Sequence, residues 1–106
     1  MRITYLSLAA LDLAEIRSYL SDNYPGLAQL VGRKLRDSLN SLAEFPNLGK
    51  PGRIAGTREL VIPKAGKITY IVVYRVVGEE IQVLRVLAGM RDIDSILEAG
   101  FQEEGI

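Results

Sequence analysis

The first half of the chain carries two runs of apolar residues at helical spacing. The first run extends from Leu8 to about Asn23, with Ser7 as a candidate N-cap and the helix-stopping sequence NYPG at its end. The second run begins at Pro25, which suits a first helical turn, and its apolar stripe comprises Ala28, Val31, Leu35, Leu39, Leu42 and Phe45. The tight connection between the two runs predicts an antiparallel helical hairpin.

Beyond position 50 the apolar pattern changes to a period of two, which is typical of strands. Three runs rich in Val, Ile and Tyr follow, TRELVI, KITYIVVYRV and EIQVLRVLA, and the turn VGEE joins the last two. The N-terminal sequence RITYL also alternates and suits a short strand. The order β-α-α-β-β-β predicts a single α+β domain over residues 1–106, an antiparallel sheet with the helical hairpin packed on one face.

The strand predicted for KITYIVVYRV is apolar on both faces, with Tyr70 and Val72 on one side and Ile71 and Val73 on the other. The helical hairpin can cover only one of these faces. The second must pack against the C-terminal segment, another strand layer or another chain. A short amphipathic helix after Asp92, or the C-terminal tail, could supply that cover.

The composition excludes several kinds of catalytic centre. The 106 residues contain no cysteine and no histidine, so disulfides, nucleophiles paired with histidine and the common zinc sites cannot form. The sequence also lacks a glycine-rich phosphate loop and, outside the tail, paired carboxylates. We therefore expect no cofactor and no metal. With no signal-peptide pattern and no apolar run of about twenty residues, we expect a soluble cytoplasmic protein.

The formal net charge is zero, but the charges are unevenly distributed. The stretch 50–78 is basic and contains Glu59 as its single acid, whereas the stretch 92–106 carries only acids. Solubility alone can explain both. A basic surface that binds an anionic or acidic target is the alternative, and the position of the acidic tail stays open.

Five arginines fall in or beside the predicted strands: Arg53, Arg58, Arg75, Arg85 and Arg91. Alternation can bring several of them onto one sheet face, and guanidinium groups provide planar donors for phosphates and carboxylates. Catalysis would also need a base. Glu59 is the only carboxylate in the basic stretch, but it follows Arg58 and so points to the opposite face. Alternatively, each arginine pairs with a rim acid such as Glu44, Glu79 or Asp92.

A specific series of motifs runs from Phe45 to Asp92: FP at 45–46, GR at 52–53, GTREL at 56–60, the strand from Tyr70 to YRV at 74–76, RVL at 85–87 and RD at 91–92. In order and spacing this series resembles the RelE/ParE toxin superfamily of bacterial toxin-antitoxin modules, and the helical hairpin fits the same family. The resemblance implies a small toxin that a cognate antitoxin wraps and neutralises. Such an antitoxin often folds on binding, here with apolar contacts on the hairpin and sheet and acids on the basic stretch.

The superfamily divides by activity into RelE-like ribonucleases, which cut mRNA on the ribosome, and ParE-like toxins, which poison DNA gyrase. Where the ribonucleases often carry a histidine, an arginine and a C-terminal tyrosine, this sequence has Ala88, Ile71 and Leu97, and only Arg91 matches. The resemblance therefore favours a ParE-like toxin that inhibits gyrase by binding. Its target-binding residues would be Arg53, Arg58, Arg85 and Arg91.

Two alternatives to a gyrase-directed toxin stay open. In a RelE-like, ribosome-dependent mRNA endonuclease the catalytic set would be Arg58, Glu59, Arg85 and Arg91. Ala88 could instead mark a degenerate, inactive toxin, which would act only as an interaction module.

Overall fold

Eight helices and strands follow one another in residues 1–101, the part of the chain that the structure, a computed structural model, describes. They are β1 (Arg2–Tyr5), α1 (Ser7–Asn23), α2 (Pro25–Glu44), β2 (Lys50–Pro51), β3 (Arg58–Val61), β4 (Tyr70–Val77), β5 (Glu80–Ala88) and α3 (Ile93–Glu98). The predicted α+β class, helical hairpin and short C-terminal helix are confirmed. The acidic tail beyond Phe101 lies outside the described residues.

The strands form one sheet in the order β1-β5-β4-β3-β2, and this sheet is mixed rather than purely antiparallel. β1 pairs in parallel with β5, from Arg2 opposite Glu80 to Tyr5 opposite Val83, whereas β2 to β5 pair antiparallel in turn. This corrects the predicted antiparallel sheet. The parallel pairing is possible because a long connection, including the helical hairpin, separates β1 from β5. The two-residue strand β2 is too short for a period-two pattern to reveal.

The helical hairpin begins and ends close to the predicted positions. Pro25 stands in the first turn of α2 as expected, and only Tyr24 separates the two helices. Ser7 is not the N-cap of α1, because it is already the first helical residue; the cap position is held by Leu6, which has extended backbone and no side-chain hydrogen bond. In residues 1–101 no helix is both long and apolar enough to cross a membrane.

Apolar side chains pack on both faces of the sheet. Tyr70 and Val72 of β4 join α1 and α2 in one buried cluster. Val73, on the opposite face, joins Ile93 and Leu97 of α3 in a second buried cluster. Fully burying a side chain of this size contributes about 1.5–3 kcal/mol. The short C-terminal helix is thus the cover of the second face, the first of the three possibilities that the sequence allowed.

The N-terminus of α3 is capped by the predicted residue. Asp92 Oδ2 accepts a hydrogen bond from Ser95 Oγ at 2.8 Å, and Oδ1 accepts one from the Ser95 main-chain N–H at 3.3 Å. These bonds favour the ionised carboxylate and hold the pKa of Asp92 below its ordinary value. The capping prediction for Asp92 is therefore confirmed.

Candidate functional site

Arg85, one of the predicted target-binding residues, lies inside the protein against α1. Its Nε and Nη2 donate to the two carboxylate oxygens of Asp12 at 2.8 and 2.9 Å. Asp12 Oδ2 also accepts the Val86 main-chain N–H at 2.9 Å. The side chains of Arg85 and Asp12 are only 14% and 5% exposed. The guanidinium is thus committed to a contact within the protein.

This ion pair forms where β5 loses its neighbouring strand. β1 ends opposite Val83, and a register shift in the pairing of β4 with β5 leaves Leu84 as an extra, bulged residue. Beyond this point the outer edge of β5 has no strand partner in the described sheet. The Val86 N–H would remain unpaired there, and the Asp12 carboxylate satisfies it instead. Arg85 and Asp12 therefore complete the sheet edge.

Arg53 joins the loop before β3 to the sheet and to α3. Its Nε and Nη2 donate to Glu59 Oε2 and Oε1 at 2.9 and 3.0 Å, and its main-chain N–H donates to Oε2 at 2.9 Å. Its Nη1 donates to Asp94 Oδ1 in α3 at 3.1 Å. The Arg53 guanidinium holds the pKa of Glu59, a buried residue, below its usual value. A carboxylate held as an anion by these bonds is a poor general base, so Glu59 does not suit the catalytic role of the ribonuclease alternative.

Arg58 points to the opposite side of the sheet, toward the loop that follows α2. Arg58 pairs with Tyr74 in β4, on the side of the helical hairpin, whereas Glu59 pairs with Val73, on the side of α3. The prediction that Arg58 and Glu59 point to opposite faces of the sheet is therefore confirmed. Arg58 Nη1 donates to Gly49 O at 2.7 Å. The Tyr74 hydroxyl holds the same loop by donating to Pro46 O at 2.7 Å and accepting from the Gly49 N–H at 2.9 Å. Arg58 is half-buried, and most of its donors remain available to a partner.

Arg91 is an exposed residue at the end of the sheet. It lies in the turn after β5, where the Gly89 N–H donates to Thr69 O at 2.8 Å and the Arg91 N–H donates to Ala88 O at 3.1 Å. Its side chain is exposed and forms no salt bridge with any residue from 1 to 101. A hydrogen-bonded turn thus presents to solvent a guanidinium that has no salt-bridge partner in residues 1–101.

The four arginines do not gather on one face as the alternation predicts. Arg53 lies on the α3 side, Arg58 on the side of the helical hairpin, and Arg85 is enclosed against α1. The acids that pair with Arg53 and Arg85 are Asp12, Glu59 and Asp94 rather than the rim acids Glu44, Glu79 and Asp92. Arg58 and Arg91 therefore remain the candidates for contact with a target.

A groove of about 520 Å³ opens beside Arg91, between α1 and the ends of β4 and β5. We call it the tyrosine groove and define it by Tyr19, Tyr24, Lys67, Tyr70, Ala88, Met90 and Arg91. The Tyr19 and Tyr24 rings, both about half exposed, pack at a centroid distance of 6.0 Å. Ala88, the position at which the resemblance leads one to expect a histidine, lines the same groove. Arg91 and Ala88 therefore line the same groove.

The tyrosine groove offers much surface for binding and little acid–base chemistry. Burial raises the pKa of Tyr70, so its hydroxyl stays protonated at neutral pH. Two carboxylates line the groove, Asp12, which is held by Arg85, and Glu15. Among residues 1–101, no cluster of three His, Cys, Asp or Glu side chains could hold a metal ion. What remains is apolar surface, tyrosine rings and the cations Lys67 and Arg91.

A second groove, of about 650 Å³, runs between β1 and the helical hairpin. We call it the hairpin groove; its lining includes Ile3, Leu13, Val31 and Leu35, with Arg17 and Arg36 among its charged residues. β1 is an edge strand of the described sheet, so its outer side presents main-chain groups without a strand partner. The hairpin groove therefore combines an apolar floor, two cations and an open strand edge.

Asp12 and the tyrosine pair are not among the site residues predicted from the sequence. Asp12 does leave a signal, because it stands three residues after Ala9 and four before Ile16, on the apolar stripe of α1. A carboxylate on the buried face of a helix needs a partner. Tyr19 and Tyr24 leave no such signal, since their pairing depends on the turn between the helices.

Comparisons with known proteins agree on the kind of protein that has this fold. The family model described as "ParE toxin of type II toxin-antitoxin system, parDE" matches residues 3–93. A Sinorhizobium fredii protein named "Putative toxin Y4kP" is 36% identical over 86 residues, which covers 81% of this chain and 85% of that protein. Toxin RelE1 of Caulobacter vibrioides is 33% identical over 81 residues, or 74% of this chain and 83% of that one. A solved structure titled "Chromosomal ParDE TA system from P. aeruginosa" matches with a TM-score of 0.70 and 26% identity, over 81% of this chain and 92% of that chain.

Proposed function

The chain belongs to the ParE toxin family of type II toxin-antitoxin systems, and we propose that it stops growth by binding DNA gyrase until a cognate antitoxin neutralises it. The tyrosine groove carries this proposal. It presents Arg91 in a hydrogen-bonded turn beside apolar and aromatic side chains, which suits binding to a macromolecule. Since gyrase acts on the chromosome, the toxin would work in the cytoplasm.

The internal ion pairs favour binding over RNA cleavage. Of the four residues that the ribonuclease alternative needs, Glu59 is buried in a pair with Arg53, and Arg85 is paired with Asp12. Cleavage of a phosphodiester needs a group that accepts a proton close to the reacting hydroxyl. Arg58 and Arg91 can bind a phosphate, but neither can act as that base. A toxin that docks on its target needs no base.

Supercoiling by purified gyrase tests the proposal directly. The full chain is added to gyrase with relaxed plasmid and ATP, and supercoiled and linear products are measured after denaturation. We expect inhibition with accumulation of linear, cleaved plasmid. Normal supercoiling at a large excess of toxin would refute the gyrase proposal. A parallel reaction with ribosomes and mRNA would then separate an endonuclease from an inactive copy of the toxin.

Arg91→Glu provides a sharper version of the same assay. The side chain is exposed and forms no salt bridge in residues 1–101, so the substitution should leave the fold unchanged while reversing a charge at the proposed contact. A charge reversal in an interface typically costs about 1.4 kcal/mol or more, which is tenfold in affinity. Arg33→Glu, on the exposed face of α2, is the matched control. Equal inhibition by both variants would remove Arg91 from the docking surface.

The hairpin groove is our proposed site for the antitoxin. Its apolar floor suits the apolar face of a segment that folds on binding, and Arg17 and Arg36 suit acids on that segment. Exposed charges mainly steer encounter. Raising the salt concentration should therefore slow association of the purified antitoxin by about tenfold and change dissociation much less. An association rate that is independent of salt would contradict the electrostatic part of this proposal.

A further inference from the structure

We propose that the tyrosine groove takes an acidic segment of gyrase that carries one bulky apolar side chain, and that Met90 and Tyr24 are its principal contacts. This inference rests on the proposed function and adds to it the contact surface on the toxin and the chemistry of the partner. The apolar side chain would enter between Met90 and the tyrosines. The carboxylates would meet Lys67 and Arg91 at the rim.

The side chains of the groove have the composition of a protein-binding surface. Tyrosine, methionine and arginine are enriched at the centres of protein interfaces, and tyrosine and arginine dominate their binding energy. Tyr19 and Tyr24 are already packed at 6.0 Å while remaining about half exposed. Little side-chain freedom would therefore be lost when a partner binds.

Met90 is the most telling residue of the groove. Its side chain is 96% exposed, more than any other large apolar side chain in residues 1–101. Its main chain is nevertheless anchored on both sides, because the Gly89 N–H donates to Thr69 O and the Arg91 N–H donates to Ala88 O. A methionine held in solvent on a hydrogen-bonded turn contributes nothing to the described core, and its flexible thioether adapts well to an apolar partner surface.

The charges of the groove favour a protein over a nucleic acid. Lys67 and Arg91 pair with no acid in residues 1–101, but Glu15 also lines the groove, and Arg85 nearby is already neutralised by Asp12. Nucleic-acid binding usually recruits several cations along a phosphate chain. Two cations without an acidic partner in the described part of the chain, beside an apolar cavity, match one or two carboxylates on a protein segment instead.

Photocrosslinking tests the position of the contact. The toxin is prepared with p-benzoylphenylalanine in place of Tyr24, and the control carries the same group in place of Phe45. Both are exposed aromatics that flank α2, one at each end, and this 20-residue helix holds them roughly 30 Å apart. With gyrase, plasmid and ATP present, we expect a crosslink to a gyrase subunit from position 24 and none from position 45. Crosslinking to DNA alone, or only from position 45, would overturn the inference.

A variant in the same groove gives an independent measurement. Met90→Ser with Lys67→Glu should raise the toxin concentration for half-inhibition of supercoiling at least about tenfold, with an unchanged melting temperature because both side chains are exposed. Phe45→Ser is the control and should inhibit like the wild type. Wild-type toxin that leaves supercoiling unchanged would remove both the proposed function and this inference. Inhibition that is equal in all three proteins would remove this inference alone.

Discussion

Replacing Asp12 by alanine should remove a large share of the stability of the fold. The substitution deletes the acceptor of three hydrogen bonds, two from Arg85 and one from the Val86 main-chain N–H. The Arg85 side chain is 14% exposed, so water can replace the lost carboxylate only in part. The variant therefore keeps a poorly solvated charge and an unpaired main-chain donor at the edge of β5.

The cost can be estimated from the burial of the pair. Removing one member of a buried ion pair costs about 3–5 kcal/mol, and the remaining exposure of Arg85 points to the lower part of that range, about 3–4 kcal/mol. Domains of this size unfold at a cost of about 5–15 kcal/mol. If the free energy of unfolding falls by about 1.5 kcal/mol per molar of urea, the urea concentration at the unfolding midpoint should fall by about 2–3 M.

Urea unfolding followed by circular dichroism measures this shift. Asp22→Ala is the matched control, an exposed aspartate of the same helix, and should change stability by no more than about 0.5 kcal/mol. Asp12→Leu combined with Arg85→Met removes both charges and should be more stable than Asp12→Ala by about 1–2 kcal/mol. The reasoning is refuted if Asp12→Ala stays within about 1 kcal/mol of the wild type, or if the double variant is no more stable than the single one.

Two further predictions concern the other polar and tight contacts of the sheet. The Arg53 guanidinium lowers the folded-state pKa of Glu59 below its ordinary 4.5, so the stability that this pair contributes is complete above that pH and is lost as the pH falls through the lower, folded-state pKa. The melting temperature of the wild type should consequently fall more steeply below pH 4.5 than that of Glu59→Gln, and parallel curves would contradict the assignment. Gly49→Ala would place a Cβ 2.8 Å from the Tyr74 ring and should cost about 1–3 kcal/mol. Gly32→Ala, in α2 where an added Cβ would meet open space, should instead stabilise by about 0.5–1 kcal/mol. A stabilising shift in Gly49→Ala as well would count against the crowding at Tyr74.

Patterns that repeat within one element predict that element well. The stripe of α2 and the capping residue Asp92 correspond to the observed helices within about a turn. The prediction of Ser7 as the N-cap was wrong because the position of a cap depends on backbone conformation as well as on side-chain type, and here Leu6 has the extended backbone of a cap residue. The sequence did not predict the parallel pairing of β1 with β5, because the pattern of residues within one strand does not determine which strand it pairs with.

The candidate site was less predictable because its charges are assigned by contacts between distant residues. Asp12 and Arg85 stand 73 residues apart, and no local pattern states that they meet. Alternation placed Arg58 and Glu59 on opposite faces correctly, but it could not show that Glu59 is held by Arg53. The arginines that look alike in sequence therefore differ in availability, and only tertiary packing separates them.

The pairing of β1 with β5 ties the fold to the order in which the chain is made. Arg2 is bonded to Glu80, 78 residues later, and Asp12 meets Arg85 after a similar interval. During translation the N-terminal strand and the first helix emerge long before these partners, so the sheet cannot close until β5 has left the ribosome. The tyrosine groove draws on α1 and on the turn after β5 alike. A polypeptide released before that turn would lack Met90 and Arg91 and with them part of the surface proposed to bind gyrase.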